Sequence, residues 1–349
     1  MILISDGSLA QNAQVDKSWP FFRLAFRPLF WLGALFSLIS ILVWTLTVTG
    51  NLNFMPYGGG HFWHLHEMLF GFAAAIIVGF LLTAVQTWTK VPSVKGPTLM
   101  LLVAIWLLAR VFMALPSLVP TSIIVGLDIL FLPLAALFLA RPILKAQKWR
   151  NLMFVPILLV MGGLNGLMHM TLQGSVTLSY LHLSHVMVMM VALVMCIMGG
   201  RVFPMFTANG TRTPRVPAWP WLEQVSMISV LLSVIVVADL FALPNGLAGA
   251  VLLLAGISNL VRAVRWRIWV TWTTPLVWPL HLSYWSVALG LILLGLVKLG
   301  VLTNVSMAIH TITVGGMGVM ILAMISRVSL GHTGRFIEVG KVMTLAFVA

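Results

Sequence analysis

Apolar residues occur along this chain in blocks of about twenty, separated by short stretches that hold nearly all of its Lys and Arg. A helix needs ~20 apolar residues to cross ~30 Å of hydrocarbon. By that measure ten blocks are complete: Leu29–Thr49, His66–Trp88, Pro97–Leu115, Val119–Ala140, Leu152–Thr171, Val176–Gly200, Trp219–Leu240, Gly246–Val264, Pro275–Val297 and Val305–Arg327. A further block, Ile337–Ala349, begins like an eleventh span and is too short to cross. The pattern predicts an all-α polytopic membrane protein. Residues 1–27 are expected to form a cytoplasmic tail without the pattern of a cleaved leader, and 28–349 a single transmembrane domain.

Composition excludes the soluble alternative. The 349 residues are 60% hydrophobic and 8% charged, against roughly 25% charged in soluble domains; mean hydropathy is +1.07. A net charge of +13 would point to nucleic acid in a soluble chain. Here the basic residues lie between apolar blocks, where they set topology and meet anionic membrane lipid, and no nucleic acid is expected. If the blocks alternate across the membrane, all Lys and Arg fall on one side except Arg110, inside the third span, and Lys298 on the opposite side. The positive-inside rule then makes the N-terminus cytoplasmic. The single cysteine, Cys196, excludes an internal disulfide and a cysteine-based metal knuckle.

This orientation gathers the histidines. His61, His64 and His66 fall at the outer end of the second span, His169 at that of the fifth, His182 and His185 in the outer half of the sixth, and His310 in the outer third of the tenth. His281 approaches from the inner side, and His332 is expected in a cytoplasmic loop. Spans two, six and ten share an outer histidine and a Gly-dotted or Met-rich apolar body. Spans six and ten then end in Gly200-Arg201-Val202 and Ser326-Arg327-Val328. A spacing of four spans suggests three four-helix units about a pseudo-threefold axis.

Ionisable side chains near hydrocarbon are costly and mark sites, and imidazole is the commonest ligand for copper, zinc and haem iron. His182 and His185 share one helical face. His64 and His66 diverge by about 200° on a regular helix, so they serve different sites unless one lies in a non-helical approach to the span. A haem b with one or two axial histidines and a copper ion with several imidazoles, with Met187, Met189 or Met190 as thioether help, both fit this layer. Arg110 and Asp128 lie at similar depth in spans three and four, either as an ion pair or with Arg110 on a haem propionate. Glu67 would hydrogen-bond a ligand histidine or relay protons. The Gly-bearing stretch Gly199–Thr211 reads as a loop, and neither it nor the rest of the chain carries a phosphate-binding or hydrolytic spacing.

Several motifs resemble the NnrS family: Arg27-Pro28-Leu29-Phe30, Trp63-His64-Leu65-His66-Glu67-Met68-Leu69-Phe70-Gly71-Phe72, Gly79–Val85, Gly200–Thr207 and Gly331-His332-Thr333-Gly334-Arg335. The resemblance spans nearly the whole chain. It implies a multi-pass protein of the bacterial inner membrane that contains haem and copper, acts in the nitric oxide and nitrosative-stress response, and often accompanies denitrification. It implies twelve spans, of which this chain carries ten and the start of another. The pseudo-threefold arrangement also looks like the catalytic subunit of haem–copper oxidases, without the extra histidines of a full oxidase centre. His66 and His310 are the expected axial haem ligands, with Arg110 nearby. His64, His182 and His185, joined by His169, are the expected copper ligands. The expected activity is binding, sensing or processing nitric oxide. Two alternatives stand beside it: a quinol-linked nitric oxide reductase-like enzyme, which would have a proton path, and a copper or haem transporter, which would expose its ligands to both faces.

Overall fold

A computed structural model of the chain describes residues 19–332 and, beyond them, 340, 344, 345 and 347. Ten helices in it are long and apolar enough to cross a membrane: α1 (Phe26–Val48), α2 (Gly59–Thr89), α3 (Gly96–Ala114), α4 (Thr121–Lys145), α5 (Trp149–Leu172), α6 (Tyr180–Thr211), α7 (Pro220–Val237), α8 (Asn245–Val270), α9 (Trp278–Lys298) and α10 (Val305–Gly331). Each of the ten apolar blocks has become one helix. Two ends lie outside the described residues. They are the N-terminal tail up to residue 18 and most of Ile337–Ala349, the expected eleventh span.

Local chemistry sets the helix starts. Pro97, Pro220 and Pro279 occupy the first turns of α3, α7 and α9, where a missing N–H costs nothing. The Asn304 side chain accepts from Met307 N at 2.9 Å and caps α10, and Ser179 accepts from Leu181 N at 3.2 Å and caps α6. The helices then assemble in sequence neighbourhoods: α4 against α3 and α5, and α9 against α8 and α10. Small residues set the closest approaches. A side chain at Gly256 of α8 would run into the Ala288 carbonyl of α9 at 2.7 Å, and one at Gly290 of α9 would meet the Ala308 carbonyl of α10 at 3.1 Å, as expected where packing rather than water drives association.

The most enclosed helices are α2 and α6, each 78% buried in its central stretch, whereas α1 is 22% buried and faces lipid. Both central helices correct the expected boundaries. α2 starts at Gly59 rather than His66, so His61, His64 and His66 are all helical. α6 continues through Gly199–Thr211, which the sequence suggested was a loop. Its glycines serve packing, not flexibility: a Cβ at Gly199 would strike the Tyr284 ring at 2.6 Å, and one at Gly200 would strike the Arg262 guanidinium. Helix α10 likewise runs on to His332, so that residue is helical rather than in a loop. Helices α2, α6 and α10 do meet, around one apolar cavity that also touches α1.

Candidate metal centre

Gly58 and Gly59 take φ values of 73° and 81°, open to glycine, and turn the chain into α2. The helix rotates about 100° per residue, so His64 and His66 part as the spacing predicts. His64 stacks on Trp44 of α1, with ring centroids 4.5 Å apart and planes 7° from parallel. His66 turns inward and is fully buried. Immediately after it the backbone widens into a π-helix over Glu67–Ala73, a form that clusters at functional sites. The Trp106 indole donates to the Gly71 carbonyl of this segment at 2.9 Å. A side chain at Gly71 would press on Glu67 Oε2 at 2.8 Å and Arg110 Nη1 at 3.0 Å. Gly71 therefore makes the room that Arg110 occupies.

Four consecutive helices, α2 to α5, close one polar group there. Arg110 of α3 donates from Nη1 to Glu67 Oε1 at 3.0 Å and pairs through Nη2 with Asp128 of α4. His169 Nε2 lies 2.9 Å from Asp128 Oδ2, and His66 Nε2 lies 3.1 Å from the same oxygen. His66 Nε2 also faces Asn165 Oδ1 at 2.8 Å, while its Nδ1 faces Glu67 Oε1 at 3.1 Å. Asn165 donates to the Asp128 carbonyl at 3.3 Å, which fixes its oxygen toward His66. Tyr57 OH is 3.4 Å from His169 Nδ1. Burial holds the Tyr57 hydroxyl above its ordinary range, so it keeps the proton it can share with His169.

Hydrogen-bond accounting gives this group a chemical character. Both nitrogens of His66 face oxygen acceptors. The ring is satisfied only when it carries two protons or when a cation takes the place of one. Two carboxylates against one guanidinium also leave a buried deficit of one positive charge, which an interior of low dielectric does not tolerate. The ligand atoms of His66, Asp128 and His169 lie within 4.8 Å of one another, all buried, and among the described residues they are the group placed to hold a metal ion. Two imidazoles and a carboxylate suit a divalent transition metal. Glu67 on the far nitrogen of His66 is the kind of contact that orients a metal-ligating histidine.

The other sequence candidates lie outside this buried group. His64 keeps a buried Nδ1 without a partner among the described residues and is near enough to His310 and His61 to feel their charge. His310 is exposed and bonds the Ser306 carbonyl from Nδ1 at 2.8 Å, with no hydrogen bond to Nε2 among the described residues. His61 Nδ1 lies 3.2 Å from Tyr180 OH, joining α2 to α6. His182 and His185 interact with each other on α6, and neither enters the buried group. The ion-pair reading of Arg110 and Asp128 and the contact of Glu67 with a histidine are both present. Nothing in the sequence pointed to Tyr57, and Asn165 went unread. The available signal was Asn165 and His169 at i, i+4 on an otherwise apolar span, facing the depth of Asp128.

A second polar group was also missed. Arg262, expected among the basic residues beyond span eight, is buried inside the bundle. It pairs with Glu223 of α7 and donates to the Cys196 carbonyl at 3.0 Å and to Tyr284 OH at 2.7 Å. Tyr284 in turn donates to Asn259 Oδ1 at 2.5 Å. This group belongs to α6–α9, as the first belongs to α2–α5.

No curated protein matches the chain. The family described as NnrS protein matches residues 20–349, a stretch that includes every residue of both buried groups, and the chain belongs to the NnrS family.

Proposed function

We propose that this protein binds nitric oxide at a copper ion held by His66, His169 and Asp128, with haem b alongside, and thereby limits nitrosative damage at the inner membrane. Membership of the NnrS family supports a membrane protein of the nitric oxide response. The observation that carries the finer reading is the convergence of two imidazole Nε2 atoms on one carboxylate oxygen, at 2.9 and 3.1 Å. Bound there, copper would supply a redox-active centre inside the membrane, where small uncharged nitric oxide dissolves. The protein's own part is positional. Glu67 and Tyr57 orient the two rings from their far nitrogens, Asn165 turns His66 toward Asp128, and Arg110 balances the carboxylates.

For haem, His310 keeps its expected role, because its Nδ1 bond to a backbone carbonyl is the usual anchor of a metal-ligating imidazole. His64, with a buried nitrogen unpartnered among the described residues, takes the place first given to His66, which the copper ion takes instead.

Copper and iron measured on purified variants test this division. His169→Ala and His66→Ala should lose copper while His182→Ala keeps it, and His64→Ala should lose haem. Full copper in both His66→Ala and His169→Ala would remove the ligand set. A reduced spectrum unchanged by nitric oxide in the copper-loaded protein would remove the ligand.

A further inference from the structure

The cavity at the meeting of α1, α2, α6 and α10 has a wholly apolar wall. On α10 it is lined by Met317, Met320 and Met324, and on α6 by Met195, Met198 and Val202. Both stripes continue toward the face that carries the Lys and Arg. Arg327 follows Met324 by three residues and Phe206 follows Val202 by four, so each stays on its helix's cavity side. There the two meet, the Arg327 guanidinium lying over the Phe206 ring at 4.0 Å. The apolar cavity thus ends at a cation. Arg327 is only 9% exposed, and among the described residues it meets Phe206 and no carboxylate.

We infer that this cavity binds an anionic phospholipid of the leaflet on the basic face, its phosphate on Arg327 and one acyl chain along the methionines. Depth supports the assignment. Arg327 lies near the end of α10, and from there to Met317 is ten residues. At ~1.5 Å per residue that is ~15 Å, one leaflet of a ~30 Å hydrocarbon core. Charge selects among amphiphiles. A quinone brings no charge and a zwitterionic headgroup brings its own cation beside its phosphate, whereas an anionic headgroup adds the net negative charge that cancels Arg327. Methionine suits a flexible chain, because unbranched thioethers repack around irregular apolar shapes.

The test uses the full chain in detergent micelles holding equal amounts of phosphatidylglycerol and phosphatidylcholine, with retained lipid identified by native mass spectrometry. Wild type should keep phosphatidylglycerol in preference. Arg327→Gln should lower that retention at least about fivefold, the ratio expected for one basic contact to an anionic headgroup, and Arg327→Lys should restore most of it. Met320→Trp should also lower it, by filling the cavity while the charge stays. Arg141→Gln, at an exposed arginine on the same face, should change nothing. Arg327→Gln should stay folded, with a melting temperature not far below wild type, since no described ion pair is lost and a buried charge is removed. Equal retention of the two lipids, equal loss in Arg141→Gln, or a neutral quinone held by both wild type and Arg327→Gln would overturn the assignment.

Discussion

Arg110→Ala should be the most damaging single substitution in the molecule, costing roughly 3–5 kcal/mol, the range for breaking a buried ion pair by removing one partner. The estimate rests on what stays behind. Glu67 and Asp128 are 0% and 3% exposed, and Arg110 is the cation that touches both. Without it, two carboxylates would face each other and two imidazoles in a site walled by α2, α4 and α5. Natural stabilities are roughly 5–15 kcal/mol, so the variant should either fail to accumulate in the membrane or melt far below wild type in detergent. A companion variant separates charge from shape. Arg110→Met with Glu67→Gln and Asp128→Asn removes all three charges together and should recover much of the loss, because replacing a whole buried charged group is far milder than halving one. If Arg110→Ala melts within a degree or two of wild type, the ion pairs described here do not hold the four helices.

The second large effect is expected at Gly200. Its missing side chain leaves the space filled by the Arg262 guanidinium. That guanidinium has no free direction, being held at once by Glu223, the Cys196 carbonyl and Tyr284. Gly200→Ala therefore cannot be relieved by rotating a side chain. Overpacking alone costs about 1–3 kcal/mol, and pushing Arg262 off Glu223 adds part of the cost of a broken buried pair, so a loss near 3 kcal/mol is expected. Gly163, where a Cβ would meet nothing within 4 Å, is the control: Gly163→Ala should be neutral or slightly stabilising in the helix. Thermal melts of the two purified variants decide the matter, and equal melting would remove the packing account of Gly200.

The number and order of spans were legible because hydrophobic length is a direct physical requirement of the bilayer. Helix ends were less so. Gly199-Gly200 with Pro204 carries the marks of a loop, yet the lost helix propensity is outweighed by Tyr284 and Arg262, which can approach α6 only where it has no side chains. Arg262 itself follows an apolar run, as a topology-setting arginine would. Only its partner on the preceding helix, Glu223, makes it a buried one. At the candidate centre, helical rotation correctly separated His64 from His66, and matched depth correctly joined Arg110 to Asp128. What sequence could not supply was which side chains share a point in space. Asn165 and His169 belong to the group because α5 packs on α4, and sequence separation hides that contact. The π-helix after His66 was equally hidden.

The two buried charge groups bear on how the chain is made. A lone arginine costs up to about 2.5–3.5 kcal/mol to insert, the figure for the centre of a span, and Arg110, toward the end of α3, presents part of that difficulty as soon as the helix leaves the ribosome. Its counter-charges are on α2, already synthesised, and on α4, which follows within a few residues. The same holds for Arg262, whose carboxylate on α7 precedes it. Neither cation has to wait for a distant part of the chain, so each can be paired while its own half of the protein is being made. The order of helices is then also an order of assembly.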